Sequence, residues 1–303
     1  MGRRIFLTGA TGVIGRRLVP LLVADGAQVT AAVRSASSER KSSELGARAV
    51  RVDLFDAAAV TSAVRGHDTI INLATRIPLG MKGLLPGSWR ENDRIRTEVS
   101  RNLVFAAAAA EIGTMVQESF ALVYRDGGDS WISEDSPLDP VRHTRSALVA
   151  ETNALELPGR PNLSVVLRFA LLYGEDSPHT RDMIAMARRG RAATFGPPGA
   201  YVPMLHLDDA ALAIVAALSA PTGRYNVTDD EPLTNEALFA ALAHQLGVPP
   251  PRFPPRWSAR LAGSVGTLLS RSQRLSNAAF RKAAGWRPLH RSVREGFASI
   301  LAG

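Results

Sequence analysis

The sequence predicts an α/β protein built on a doubly wound parallel sheet, with a smaller, mostly helical C-terminal part. Three observations carry this. Short β-rich runs alternate with helical patterns through the first half of the chain; a glycine-rich turn joins the first run to the first helix; and beyond residue 175 the alternation loosens into helices broken by prolines. Residues 3–8 form an apolar run that stops at glycines, and 13–24 carry apolar positions at helical spacing. Strands are expected at 27–34, 47–53, 68–74 and 114–120, with helices at 57–64 and 89–112 between them. A helix over 144–157 ends at Pro158-Gly159, and 163–172 is a strongly β run. Later, 207–219 reads as a helix whose first turn holds Asp208 and Asp209, acids suited to the helix dipole, and 224–228 as a short strand. The expected division is 1–175 for the alternating unit and 176–303 for a second unit, with 206–228 returning to the first.

Composition narrows the chemistry. The 303 residues contain no cysteine, which removes disulfides, thiol nucleophiles and cysteine-rich metal centres together. The six histidines are scattered without metal-ligand spacing, so no metal is expected. The net charge of +8 is concentrated: residues 251–303 carry ten basic residues against Glu295 alone, and the rest of the chain is close to neutral. That distribution argues against a nucleic-acid-coating protein and toward a local anion-facing surface. No secretory or membrane-spanning segment is visible, so the expected location is the cytoplasm, with no membrane partner.

The strongest local signal is Thr8-Gly9-Ala10-Thr11-Gly12-Val13-Ile14-Gly15, placed between the first strand and the first helix. Gly9 permits the tight turn, Gly12 lets the backbone approach a pyrophosphate, and Gly15 lets the helix pack close, while the helix N-terminus offers free N–H groups to phosphates. Strand before and helix after make this a Rossmann dinucleotide site. The second strand ends in Val33-Arg34-Ser35 rather than in an acid that would hold a ribose 2′-hydroxyl. Arg34 can meet a 2′-phosphate with its planar fork and Ser35 can add a hydrogen bond, so NADP(H) is favoured over NAD(H).

With these motifs the chain resembles the short-chain dehydrogenase/reductase superfamily, in its extended or atypical, epimerase/dehydratase-like branch. Val52-Asp53-Leu54 resembles its adenine-contacting motif, and Asn72-Leu73-Ala74-Thr75 its fourth-strand motif. Leu167-Arg168-Phe169 with Tyr173-Gly174, His206-Leu207-Asp208-Asp209-Ala210, and Gly285-Trp286-Arg287-Pro288 resemble later ones. The resemblance implies that 1–175 form the NAD(P)-binding Rossmann unit and 176–303 the substrate unit, closing over the substrate, with cofactor contacts at Asp53, Leu54, Leu73, Ala74 and Thr75 beside the glycine loop. It also implies a Ser/Thr, a Tyr and a Lys four residues after that Tyr, the lysine lowering the phenol's pKa so that it exchanges protons. None of Lys41, Lys82 and Lys282 has a tyrosine four residues before it. The family segment falls on His143 to Glu151, with His143 in place of the Tyr, Ala147 in place of the Lys, and Phe120 at the hydroxyl position beside Ser119.

The expected reaction is therefore NADP(H)-dependent oxidoreduction of a small carbonyl or hydroxyl compound with a non-standard proton donor. A non-redox isomerase, cyclase or dehydratase, and a nucleotide sensor without turnover, are the alternatives. His143, whose imidazole exchanges protons near neutrality, Tyr124 near the end of the fifth strand, and Ser119 are the candidate catalytic groups. Arg168, His206 and Arg274 are candidate substrate contacts. The terminal arginines, Arg271 and Arg274 among them, are expected to form an electropositive rim that favours an anionic substrate, and a homodimer is the candidate assembly. Trp257, Leu261, Val265, Leu268 and Leu269, with Arg256 and Arg260 beside them, are expected to form one apolar helix face packed on the substrate unit.

Overall fold

The computed structural model describes residues 2–302 apart from 79, 86 and 256. The chain opens with β1 (Arg4–Thr8), α1 (Gly15–Ala24), β2 (Gln28–Val33), α2 (Ala36–Glu44), β3 (Arg48–Arg51), α3 (Ala57–Val64) and β4 (Thr69–Asn72). It continues through α4 (Arg90–Arg94), α5 (Ser100–Ala109), β5 (Thr114–Phe120), β6 (Trp131–Ile132), α6 (Arg145–Glu156), β7 (Leu163–Phe169) and β8 (Leu171–Tyr173). Then come α7 (Pro178–Arg188), β9 (Tyr201–Val202), β10 (Met204–His206), α8 (Leu207–Ala217), β11 (Gly223–Val227), β12 (Leu233–Thr234) and α9 (Asn235–Leu246). The chain closes with α10 (Ser258–Leu261), α11 (Gly263–Ser270), β13 (Arg274–Leu275), α12 (Ala278–Ala284) and α13 (Val293–Ala302).

Seven strands form one parallel sheet in the order β11-β7-β5-β4-β1-β2-β3. From β1 the chain winds outward through β2 and β3, then returns to β4 on the other side of β1. The crevice between the C-terminal ends of β1 and β4 is the switch point where open α/β sheets bind ligands. Helices cover both faces, as the crossovers require. On one face Leu18, Val19 and Leu22 of α1 meet Ile214 and Ala217 of α8. On the other, Val60 and Val64 of α3 and Leu103 of α5 close over Phe6, Ile70 and Met115. Each fully buried aliphatic side chain there contributes about 1.5–3 kcal/mol. A third cluster joins Met183 of α7, Leu238, Phe239 and Leu242 of α9, and Val293 and Phe297 of α13.

Four local features differ from the sequence expectation. The helix expected over 89–112 is interrupted by a π-helical turn, Ile95–Val99, between α4 and α5. Thr97 and Ser100 hydroxyls donate to the carbonyls of Asp93 (2.8 Å) and Arg96 (2.6 Å), loosening the α ladder. The run over 163–172 divides at Ala170, where β8 leaves the main sheet to pair with β10. Helices α2, α7 and α9 have no sequence counterpart above; α2 buries only Ser42, so it has no apolar stripe to read.

The fourth difference is a correction. Residues 257–270 are two short helices, because Gly263 takes φ +55° between them. Leu268 is buried, but Trp257 is 62% exposed and Leu261 79%, so the single apolar face does not form. Arg256 lies outside the described residues. No helix among the described residues is long and apolar enough to cross a membrane.

Candidate functional site

The glycine loop occupies the switch point. Gly9 adopts φ +76°, and a Cβ there would stand 2.6 Å from the Leu73 carbonyl oxygen at the end of β4. A Cβ on Gly15 would run into the carbonyl oxygens of Gly9 and Ala10. The turn is closed by Gly12 N–H donating to Gly9 O at 3.0 Å, and α1 starts at Gly15. Gly12 is exposed, Thr11 and Val13 half-buried, and Ile14 buried beneath them. The result is a cradle kept open by three missing side chains and capped by a ten-residue helix N-terminus, which suits a pyrophosphate. Thr8 serves the scaffold. Its hydroxyl donates to Asn72 Oδ1 (2.6 Å) and accepts from the N–H groups of Leu73 and Ala74. Asn72 in turn donates to Gln117 Oε1 at 2.8 Å, which ties the ends of β1, β4 and β5 together.

At the end of β2, Arg34 is 65% exposed on its side chain and reaches Glu91 at 3.4 Å. Glu91 also pairs with Arg76 at 2.6 Å, and that Arg76 hydrogen bond, with Arg34 adding to it, holds the carboxyl below its usual range. Ser35 is the N-cap of α2, accepting from Ser38 N–H at 3.2 Å, so its hydroxyl oxygen has a structural task. Asp53 accepts from Phe55 N–H at 3.0 Å just after β3, with Leu54 half-buried beside it, and Thr75 is exposed after β4.

Ser119, Tyr124 and Arg168 come together, in the protein interior. Glu151 of α6 is the hub. It accepts a bidentate pair from Arg168 (2.8 and 2.6 Å) and the Ser119 hydroxyl (2.5 Å), and Arg224 approaches at 3.3 Å. Arg168 also donates to Tyr124 Oη (2.7 Å), which donates to Asn226 Oδ1 (2.7 Å). Ser119 and Tyr124 are fully buried and Arg168 is 2% exposed. Burial pushes the Tyr124 phenol up against the opposing pull of Arg168. Burial alone would lower the Arg168 pKa, yet Glu151 outweighs it and keeps the guanidinium charged. Sequence reading missed Glu151 as the centre of this network; its only signal was the final Glu of the His143–Glu151 segment.

His143 lies apart from that network, just before α6. Its ring stacks on Trp89 (centroids 4.7 Å apart, 7° between planes) and its Nε2 is 2.8 Å from Ser264 Oγ of α11. Burial lowers its pKa below the ordinary imidazole value, against the attraction of Asp93. Trp89, Arg90, Asp93, Arg142, His143 and Ser264 line one cavity of about 250 Å³. Asp93 is oriented by the Ser146 hydroxyl at 2.7 Å. Ala147, one turn along α6 from His143, is fully buried.

His206 and Arg274 are engaged elsewhere. His206 Nδ1 accepts from Asp208 N–H at 3.3 Å as the cap of α8, and its ring lies 4.0 Å from that of His290. Burial, reinforced by His290, pushes its pKa down to about 4. Buried Asp209 accepts from the N–H groups of Leu289 (2.5 Å) and His290 (3.1 Å) and from His290 Nδ1 (3.0 Å). The polar atoms of His206, Asp209 and His290 lie within 4.8 Å of one another, a metal-like grouping. However, a neutral His206 that accepts at Nδ1 carries its proton on Nε2, and Asp209 is already bonded on both oxygens. The trio is thereby a clamp between α8 and the segment before α13. Arg274 is sandwiched between Trp131 (4.2 Å) and Tyr201 (4.9 Å). Arg271 is bound to Asp139 at 2.5 Å, and Arg281 and Arg291 to Asp230 and Glu231, so much of the terminal charge is internally matched.

Residues 9–164 match a family model described as NAD(P)H-binding. A 3-diazoavenalumate denitrifying reductase from a Streptomyces species is 36% identical, the match covering 97% of this chain and 98% of the relative. A 2-alkyl-3-oxoalkanoate reductase from Shewanella oneidensis is 27% identical over 90% of this chain and 73% of the relative. Among solved structures, a human epimerase family protein with NADPH superposes with a TM-score of 0.83 at 20% identity, covering 99% of each chain. The Thermus thermophilus UDP-glucose 4-epimerase complex with NAD gives 0.77 at 23% identity, covering 99% of this chain and 98% of that one. At these identities the two structures speak to the shared fold.

Proposed function

The chain belongs to the NAD(P)H-binding short-chain dehydrogenase/reductase superfamily, and we propose that within it the protein is an NADPH-dependent reductase of a diazo-bearing small organic acid. The observation that carries this reading is an intact cofactor cradle beside a site with His143 and buried Ala147 at the proton-relay positions. When bound, the reduced nicotinamide supplies a hydride. A carbonyl that accepts hydride becomes an alkoxide and needs a proton from an acid. A diazonium group is already cationic. Hydride at its terminal nitrogen gives a neutral diazene, which loses dinitrogen and leaves a C–H bond, with no proton drawn from the protein.

The charges around the cavity suit that substrate. A lysine ammonium about 4 Å from a diazonium would cost about 4 kcal/mol at an effective dielectric of 20. Ala147 puts no cation there, while Asp93 supplies the opposite sign in the same cavity. Arg90 and Arg142 on its wall can hold a substrate carboxylate in bidentate fashion. His143 and Trp89 form a flat wall that orients the ring, and the Glu151 network with Ser119 and Tyr124 braces α6 beneath it. Arg34, once released from Glu91, holds the 2′-phosphate. Residues 176–303 supply α11 and Ser264 as the cover, and the protein works in the cytoplasm.

Carbonyl reduction with His143 as the acid is the second reading, favoured by the 2-alkyl-3-oxoalkanoate reductase relative. NADPH oxidation against an aryl diazo acid and against matched ketones separates them. The first reading expects one dinitrogen released per NADPH and no turnover of ketones. Ketone turnover without diazo turnover would establish the second.

A further inference from the structure

On the far end of α7 lies a groove of about 780 Å³, remote in sequence and lining from the His143 cavity. Arg188, Arg189, Arg191 and Arg252 line it, and no Asp or Glu does. All four are exposed, and among the described residues none has an ion-pair or side-chain hydrogen-bond partner. Arg188 and Arg189 have a local explanation, since they stand at the C-terminal end of α7 where cations offset the helix dipole. Arg191 and Arg252 have none. They face each other in a parallel bridge, with Arg252 N–H donating to Gly190 O (2.9 Å) and Ala192 N–H donating to Arg252 O (3.0 Å). Paired residues project from the same side of a pleat, and like charges in that relation are destabilising. The backbone thus pairs two arginines that have no ion-pair partner among the described residues.

Pro249, Pro250, Phe253 and Pro254 add an apolar stretch to the lining. Phe253 is fixed edge-on against Phe239 (5.9 Å, 86°), so this stretch is anchored to the core around α9. A concave volume in the range of small-molecule sites, lined by arginines and by an anchored apolar stretch, defines an amphiphilic anion as the complement. We propose that this groove binds an organic polyphosphate, its phosphates on the four arginines and its organic part against Phe253 and the prolines. Planar forks that bond phosphate oxygens in pairs make phosphate the matching anion. The site is separate from the dinucleotide cradle and independent of the reaction assigned above.

The test is calorimetric titration of ADP and of pyrophosphate into protein saturated with NADPH, which removes the cradle from competition. ADP is expected to bind at one site and more tightly than pyrophosphate, and R191Q/R252Q to weaken ADP at least about tenfold with NADPH affinity unchanged. R188Q/R189Q provides an independent second variant, with the same direction expected, should the bridged pair disturb folding. Absence of ADP binding, or equal ADP affinity in a folded variant, overturns the proposal. Equal affinity for pyrophosphate and ADP overturns the role of the apolar stretch.

Discussion

The contact proposed between Arg34 and a 2′-phosphate is one that a neighbouring acid restrains. Glu91 stays ionised between Arg76 and Arg34, so a 2′-phosphate has to draw Arg34 away from an existing partner. Arg34→Ala is expected to raise KM for NADPH at least about tenfold while changing KM for NADH little. Glu91→Gln is expected to lower KM for NADPH. Initial-rate measurements with both cofactors check this, and an unchanged NADPH/NADH ratio in Arg34→Ala would remove Arg34 from the cofactor site. The glycine loop was legible in the sequence because its residues answer to local backbone sterics. Glu151 was not, because Ser119 and Arg168 are brought to it only by the pairing of β5 with β7 and the packing of α6 over both.

At the scale of elements, two buried contacts join segments that the sequence does not connect. The Glu151–Arg168 pair links α6 to β7 with both side chains buried, where removing one partner strands the other charge. Glu151→Leu is expected to cost about 3–5 kcal/mol of unfolding free energy. A urea-denaturation loss below about 1 kcal/mol would show that solvent reaches the pair. The clamp between α8 and the segment before α13 contributes one source of pH dependence. Burial beside His290 depresses the His206 pKa to about 4 in the fold, against about 6.5 when unfolded. The unfolded chain therefore binds a proton first, and stability falls as pH drops from about 6.5 to about 4, by at most about 3 kcal/mol. Thermal unfolding between pH 7 and 4 measures this slope, and His206→Asn, which keeps a capping side chain, should flatten it. An unchanged slope in that variant would place the titration elsewhere. The strand–helix alternation announced most of the sheet, since apolar strands and amphipathic helices follow from periodicity. The π-helical turn and the split of 163–172 were hidden, because hydroxyl back-bonding and a strand's change of partner leave no periodic trace.

Over the whole molecule, part of the basic excess of residues 251–303 is matched internally: Arg271, Arg281 and Arg291 pair with acids from earlier in the chain, whereas Arg252 joins Arg188, Arg189 and Arg191 in the groove at the end of α7. The fold brings an open cofactor cradle and a cavity lined by His143, Asp93, Arg90 and Arg142, with no lysine in its lining, to the same end of one sheet. That combination is what the proposed reduction of an already cationic acceptor would use. The pH dependence of kcat for diazo reduction tests this most directly, because an acceptor that needs no acid has nothing on the protein to titrate. Between pH 6 and 8 kcat is expected to stay constant within about twofold. A fall approaching tenfold per pH unit above the lowered pKa of His143 would show that a protonated side chain is required, and would contradict the account.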